Sequence, residues 1–143
     1  MEPASLSLRR VIRAPRERVF AAWTTPDQLR QWWGPGLVTC PEAHIDLREG
    51  GEYRLANRQP DGGLIWIFGR FERVRAPEEV VYTWNLSSRP DDAPTLVTVT
   101  FLPHDDGTEL ILRHERFVGE PIRDMHLQGW GGCIDKLEAL FAA

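Results

Sequence analysis

Cysteine is scarce in this chain of 143 residues: Cys40 and Cys133 are its two thiols, far apart and at no metal-ligand spacing. A disulfide framework is thereby excluded, and two buried, reduced thiols are expected. No apolar run approaches the roughly 18 residues of a membrane-spanning helix, so no membrane partner is expected. The opening "MEPASLSLRRVIRAP" has no apolar block behind its charges, which argues against a secretory signal and makes the cytoplasm the expected compartment. A net charge of -4 without a basic cluster argues against nucleic acid as a partner. The chain holds no Gly-x-Ser-x-Gly, no phosphate loop and no supported Cys–His pair. Hydrolysis, phosphoryl transfer and redox chemistry have no visible machinery. Internal repeats, linkers and low-complexity stretches are missing too, so residues 1–143 read as one domain.

Aromatic surface is what the chain has in excess. Apolar residues make up 42% and charged residues 27%, a globular balance, yet six residues are tryptophan. Two of them are adjacent in "LRQWWGPG" (Leu29–Gly36), where the spacing predicts the end of a helix. Neighbours on a helix point about a quarter-turn apart, so one core face does not easily hold both rings. Trp32 continues the face of Leu29. Trp33 then stands as a lid beside a Gly-Pro-Gly hinge or lies in a surface or dimer contact.

The hydropathy pattern orders the elements. In "SLSLRRVIRA", Leu6, Leu8, Arg10 and Ile12 share one side of a first strand. Pro15 opens a short helix carrying Val19, Phe20 and Trp23. Thr25, Pro26 and Gln28 then form the capping signature of a second. Strands and turns follow: "AHIDL" and "GEYRLANR" around "REGG", with an Arg48–Glu52 surface ion pair, then "LIWIFGRFERV" after the turn "PDGG". Next come "VVYTWNL", "TLVTVTFL" and "TELILRHERF". The last 25 or so residues repeat apolar positions every three or four (Ile122, His126, Gly129, Cys133, Leu137, Leu140), the pattern of one long helix with a buried stripe. This is an α+β arrangement: six to seven antiparallel strands curved around a C-terminal helix, with two short helices after the first strand.

Four segments carry a resemblance: "IRAPRERVFAAWTTPDQLRQWWGP", "DLREGGEYR", "VTVTFLPHDDGTELILRHERF" and "LQGWGGCIDKLEAL". In that order they resemble the Hsp90-ATPase-activator-like branch of the START/Bet v 1 (SRPBCC) superfamily, over Leu6 to Phe141. The resemblance implies a helix-grip fold, with a cavity between the curved sheet and the long helix. It implies less about activity, because members bind hydrophobic ligands, catalyse varied reactions or assist a chaperone. The eukaryotic activator also carries a separate N-terminal domain, for which 143 residues leave no room.

On strand parity, Trp66, Phe68, Tyr82, Trp84, Phe101 and Leu112 point towards the helix, with Trp33, Tyr53, Phe117 and Trp130 closing the ends. These rings either interlock as a solid core or line a ligand cavity. Gly129, Gly131 and Gly132 bare one turn of the helix to the close approach of a ring or a ligand. His114 shares the inward side of Leu110 and Leu112, and His126 lies on the helix stripe. The two are expected to meet with near-neutral pKa, as a polar anchor or an acid–base pair. Mid-strand Arg70 and Glu72 would share the side of Trp66 and Phe68 unless a bulge at Gly69 turns them out and Phe71 in. Adding His44 or Glu115 to the histidines gives no ligand motif, so no metal is expected, nor any cofactor. The leading expectation is a binder of a small hydrophobic or aromatic molecule. The alternatives are a cofactor-free cyclase or dehydratase using His114 and His126, and a chaperone-linked or homodimeric interaction module with Trp33 in the contact.

Overall fold

The computed structural model describes residues 3–142. Seven strands form one antiparallel sheet in the order β1-β7-β6-β5-β4-β3-β2. They are β1 (Ala4–Ile12), β2 (Ala43–Ile45), β3 (Glu52–Arg58), β4 (Leu64–Arg75), β5 (Glu79–Leu86), β6 (Thr95–His104) and β7 (Gly107–Phe117). Helices α1 (Arg16–Thr24) and α2 (Pro26–Leu29) follow β1, and α3 (Glu120–Leu140) ends the chain. Every neighbouring pair but β1–β7 is consecutive in sequence. The meander therefore needs only local connections, the longest of them over residues 87–94, and a single return brings β1 back beside β7. This is the α+β arrangement expected from the hydropathy pattern, and the helix-grip fold that the resemblance implies.

Helix α3 crosses the inner face of the sheet and buries His126, Trp130, Cys133, Ile134 and Leu137. Arg10 of β1 reaches up to α3 and pairs with Asp135 at 2.7 Å and Glu138 at 3.3 Å. These partners are largely exposed, so the pairs orient the helix more than they stabilise it. Gly132 sets how closely α3 meets the loop after α2: a Cβ there would lie 2.8 Å from the Cβ of Pro35. The bare helical turn thus receives the Gly-Pro-Gly loop.

Two inward-facing sets are re-aimed by local backbone. In β7, Arg116 has φ 76°, which lets both His114 and Phe117 turn inward although they stand three positions apart, on opposite faces of a regular strand. In β4 the register with β5 shifts between Phe71 and Arg73. The bulge therefore lies beyond Gly69, not at it. Gly69 serves a different purpose: a Cβ there would lie 2.1 Å from the Thr83 carbonyl oxygen. The opposite residue, Tyr53, instead lays its ring across the gap and donates its hydroxyl to that oxygen at 2.6 Å.

Three local expectations need correction. Thr25 makes no side-chain cap, and its carbonyl alone receives Gln28 N and Leu29 N. Arg48 pairs with Asp46 at 2.9 Å rather than with Glu52. The third correction is to the parity of β4, where Ile67 and Phe71 are buried and Trp66 and Phe68 face outward, Phe68 being 42% exposed. The apolar run "LIWIF" fits either side, so its own pattern cannot choose. The register chooses: Ile67 stands opposite Leu55 and Gly69 opposite Tyr53, and directly opposed residues share a face. Outside, Trp66 lies under the guanidinium of Arg54, 5.4 Å from the ring centroid. Arg70 and Glu72 are exposed on that same outer face.

Candidate functional site

Five of the six tryptophans converge between sheet and helix: Trp23 from α1, Trp32 and Trp33 from the turn after α2, Trp84 from β5 and Trp130 from α3. Ring centroids are 4.9 Å apart for Trp23–Trp32, 5.5 Å for Trp32–Trp33, 5.3 Å for Trp33–Trp130 and 5.1 Å for Trp84–Trp130. Most of these pairs are edge-on or tilted, as aromatic quadrupoles prefer. Each indole N–H has an acceptor. Trp23 donates to the Tyr82 hydroxyl (3.2 Å), Trp32 to the Ala22 carbonyl (3.0 Å) and Trp33 to Asn57 Oδ1 (2.9 Å). Trp84 donates to His126 Nε2 (3.2 Å) and Trp130 to His114 Nδ1 (3.0 Å).

Adjacent Trp32 and Trp33 are both buried, at 1% and 3% exposure, because helix α2 stops at Leu29 and the chain turns. Freed from the quarter-turn of a helix, the two rings meet edge to face at 64°. Trp33 is therefore neither on the outer surface nor available to a dimer contact, which overturns that expectation.

The two histidines do meet, with ring centroids 5.2 Å apart. His114 is fully buried, and its Nε2 lies 2.7 Å from Thr95 Oγ1. His126 Nδ1 lies 2.9 Å from the Ile122 carbonyl oxygen. An indole can only donate, so His114 Nδ1 and His126 Nε2 must be unprotonated. Their protons sit on the other nitrogens, and all four ring nitrogens are engaged. Burial, helped by the neighbouring His126, lowers the pKa of His114 to about 2. Burial also lowers that of His126, against its bond to the Ile122 carbonyl. The near-neutral titration expected of the pair is overturned: both are neutral, and neither nitrogen pair is free to exchange a proton.

Beside this cluster the sheet and α3 leave a crevice of about 290 Å³, at the small end of ligand pockets. Trp33, Ile67, Trp84, Trp130 and Cys133 form its buried apolar part, with Pro35 and Val38 of the loop after α2 at one side. Asn57, Gln59, Ser88 and His126 supply its polar wall, and Ile65, Leu86, Gly129 and half-exposed Met125 complete it. The Cys133 thiol is pushed up to about 11 by burial, and that of Cys40 likewise.

Of the residues expected to line the cavity, Trp33, Trp84, His126 and Trp130 do so. Phe101, Leu112 and His114 are fully buried behind them, where Phe101 packs edge-on against Phe20 at 5.3 Å. Phe117 packs against His114, tilted at 42° with centroids 4.3 Å apart, and reaches only a hollow of about 30 Å³. Tyr53 and Tyr82 stand at the far end of the core around a hollow of about 20 Å³, too small for more than a water, and Tyr53 also borders, with Phe68, an open hollow of about 920 Å³ away from the crevice. Burial raises the pKa of both phenols. Trp66 and Phe68 are on the outer face and cannot line the crevice. The polar wall went unnoticed in the sequence, although Asn57 shares the parity of Tyr53 and Leu55 and was legible in "GEYRLANR".

The sequence model of the family described as Activator of Hsp90 ATPase homolog 1-like protein matches residues 13–142. The chain belongs to that family. The family lies within the SRPBCC superfamily, and solved structures agree. Protein CV1439 from Chromobacterium violaceum superposes with a TM-score of 0.87 at 26% identity, over 96% of both chains. An AHSA1 protein from Silicibacter pomeroyi, SPO3351, does so with a TM-score of 0.84 at 28% identity, over 95% of this chain and 96% of that one. The fold alone is shared with SA2116 from Staphylococcus aureus, described as of unknown function, at 23% identity and a TM-score of 0.83 over 98% and 94% of the two chains. Among curated proteins none matches the sequence. Helices long and apolar enough to cross a membrane are absent among the described residues. Membership in the family shows the fold and leaves the chemistry of any ligand to the side chains of this chain.

Proposed function

We propose that this protein binds a small apolar or aromatic molecule in the crevice between the sheet and α3. The observation that carries the reading is the crevice itself, walled by Trp33, Trp84 and Trp130. Those three indoles are each tethered through Nε1, so they meet a ligand without first losing side-chain freedom. Burial of ligand surface against them supplies the driving force, at about 25 cal/mol per Å² of apolar area. The engaged histidine nitrogens favour a binding role over proton transfer.

Native mass spectrometry of protein purified from its own host, beside the same sample denatured, tests the proposal. A mass excess that vanishes on denaturation is the expected result, and fragmentation then names the compound class. A bare mass, together with a thermal midpoint unmoved by saturating naphthyl compounds, would sink it, since binding to the native state must stabilise it.

A further inference from the structure

The walls of the crevice are more selective than their apolarity suggests. Among the described residues no Asp, Glu, Lys or Arg lines it. Its two titratable residues are His126, whose Nε2 is occupied by the Trp84 indole, and Cys133, whose thiol is buried. Arg89 comes near His126 but lines a different hollow and is paired with Asp92. Lys136 also stands outside the wall, where its Nζ donates to the Val38 carbonyl at 3.3 Å. An ionised ligand would therefore lose its hydration without meeting a counter-charge on the wall itself.

One polar group is oriented towards a particular partner. The Trp33 indole can only donate, so it fixes the amide of Asn57 with Oδ1 facing the ring. The Nδ2 hydrogens of Asn57 have no acceptor among the described residues, and Asn57 lines the crevice. The group left to meet a ligand is thus a donor. Size and shape narrow the choice again. About 290 Å³ holds on the order of 14 non-hydrogen atoms at the packing density of organic solids. The crevice is walled by the wide planar rings of Trp33, Trp84 and Trp130, which suit a flat molecule.

We infer that the crevice selects an uncharged, flat aromatic molecule of about two fused rings that carries a carbonyl-like acceptor, received by Asn57 Nδ2. The inference rests on the binding reading above and names its ligand class. Three naphthalenes of nearly equal size and shape separate its parts: 2-acetylnaphthalene, 2-isopropenylnaphthalene and 2-naphthoate. Calorimetric titration and thermal midpoints at pH 7.5 are measured on the wild-type chain and on Asn57→Asp, which keeps the bond from Trp33 but removes the amide donor.

The acetyl compound is expected to bind best and the isopropenyl compound about tenfold more weakly, for want of an acceptor. The naphthoate is expected to bind weakest of the three. Asn57→Asp should abolish the acetyl compound's advantage over the isopropenyl one; the ratio of the two affinities is the readout, because the new carboxylate weakens both. Equal binding of acetyl and isopropenyl compounds to the wild type would overturn the role of Asn57. Naphthoate binding as tightly as the acetyl compound would overturn the selection for neutral ligands. In both cases ligand binding itself would stand, whereas silence from all three probes would count against the binding reading, and this inference would fall with it.

Discussion

Trp130 donates its indole N–H to Nδ1 of His114 across 3.0 Å, while Thr95 Oγ1 lies 2.7 Å from the opposite nitrogen of the same ring. A fully buried imidazole is thereby closed at both ends in its neutral form. A second tryptophan–histidine pair, Trp84 with His126, repeats the arrangement one layer nearer the crevice. These pairs join the sheet to α3 through directional bonds inside an otherwise apolar core, and a proton on either acceptor nitrogen would set two donors against each other.

Stability should therefore fall on mild acidification. Both histidines have pKa values lowered in the folded state, so below about pH 6.5 the unfolded chain binds protons that the native one refuses. Their contribution is fully present above pH 6.5 and is lost as pH drops towards the folded values. The expected slope is up to about 1.4 kcal/mol per pH unit for each histidine that stays neutral. Urea unfolding between pH 7 and pH 5 measures it, and His114→Gln should flatten the profile. A stability independent of pH over that window would contradict the neutral pairs.

Trp33 offers a separation of ring from hydrogen bond. Trp33→Phe keeps an apolar ring but orphans the Asn57 oxygen, and should cost about 1 kcal/mol. Trp33→Ala opens a cavity and should cost about 3–5 kcal/mol. Neither should alter the sedimentation coefficient of the folded protein, because the side chain is 3% exposed.

Adjacent glycines of α3 should respond with opposite signs. Gly131→Ala meets nothing within 4 Å and should stabilise by roughly 0.5–1 kcal/mol through helix propensity. Gly132→Ala would place its Cβ 2.8 Å from that of Pro35 and should destabilise by about 1–3 kcal/mol as the loop is pushed away. Thermal denaturation of the two variants side by side decides it. Equal shifts would mean the loop does not rest on the helix.

The two faces of β4 and β6 give a further contrast. Phe101→Ala removes a fully buried ring packed on Phe20 and Trp23, and should cost about 3–5 kcal/mol. Phe68→Ser, on the outer face, should change stability by less than about 1 kcal/mol and leave any crevice ligand bound. Loss of ligand binding in Phe68→Ser would restore the inward parity that the register contradicts.

Strong local periodicity and turn chemistry were enough to read most of the architecture. The alternation in "TLVTVTFL" and "TELILRHERF" placed Val97, Val99, Phe101, Leu110 and Leu112 in the core, where they are. The three-and-four spacing from Ile122 to Leu137 marked α3 and its buried stripe. Such signals survive in one dimension because a strand or helix with one apolar side can bury only that side. What tertiary structure decided lay where the local pattern is symmetric or the environment is collective. In "LIWIF" both parities are apolar, so only the pairing of Ile67 with Leu55 could turn Trp66 outward. The sequence brought His114 and His126 together, but their protonation depends on desolvation and on two indole donors from distant elements. The surplus of wide rings allowed a solid core or a cavity. The folded chain contains both, five indoles locked together and a crevice along one side, because rings of fixed shape tethered at Nε1 cannot collapse into the space that remains.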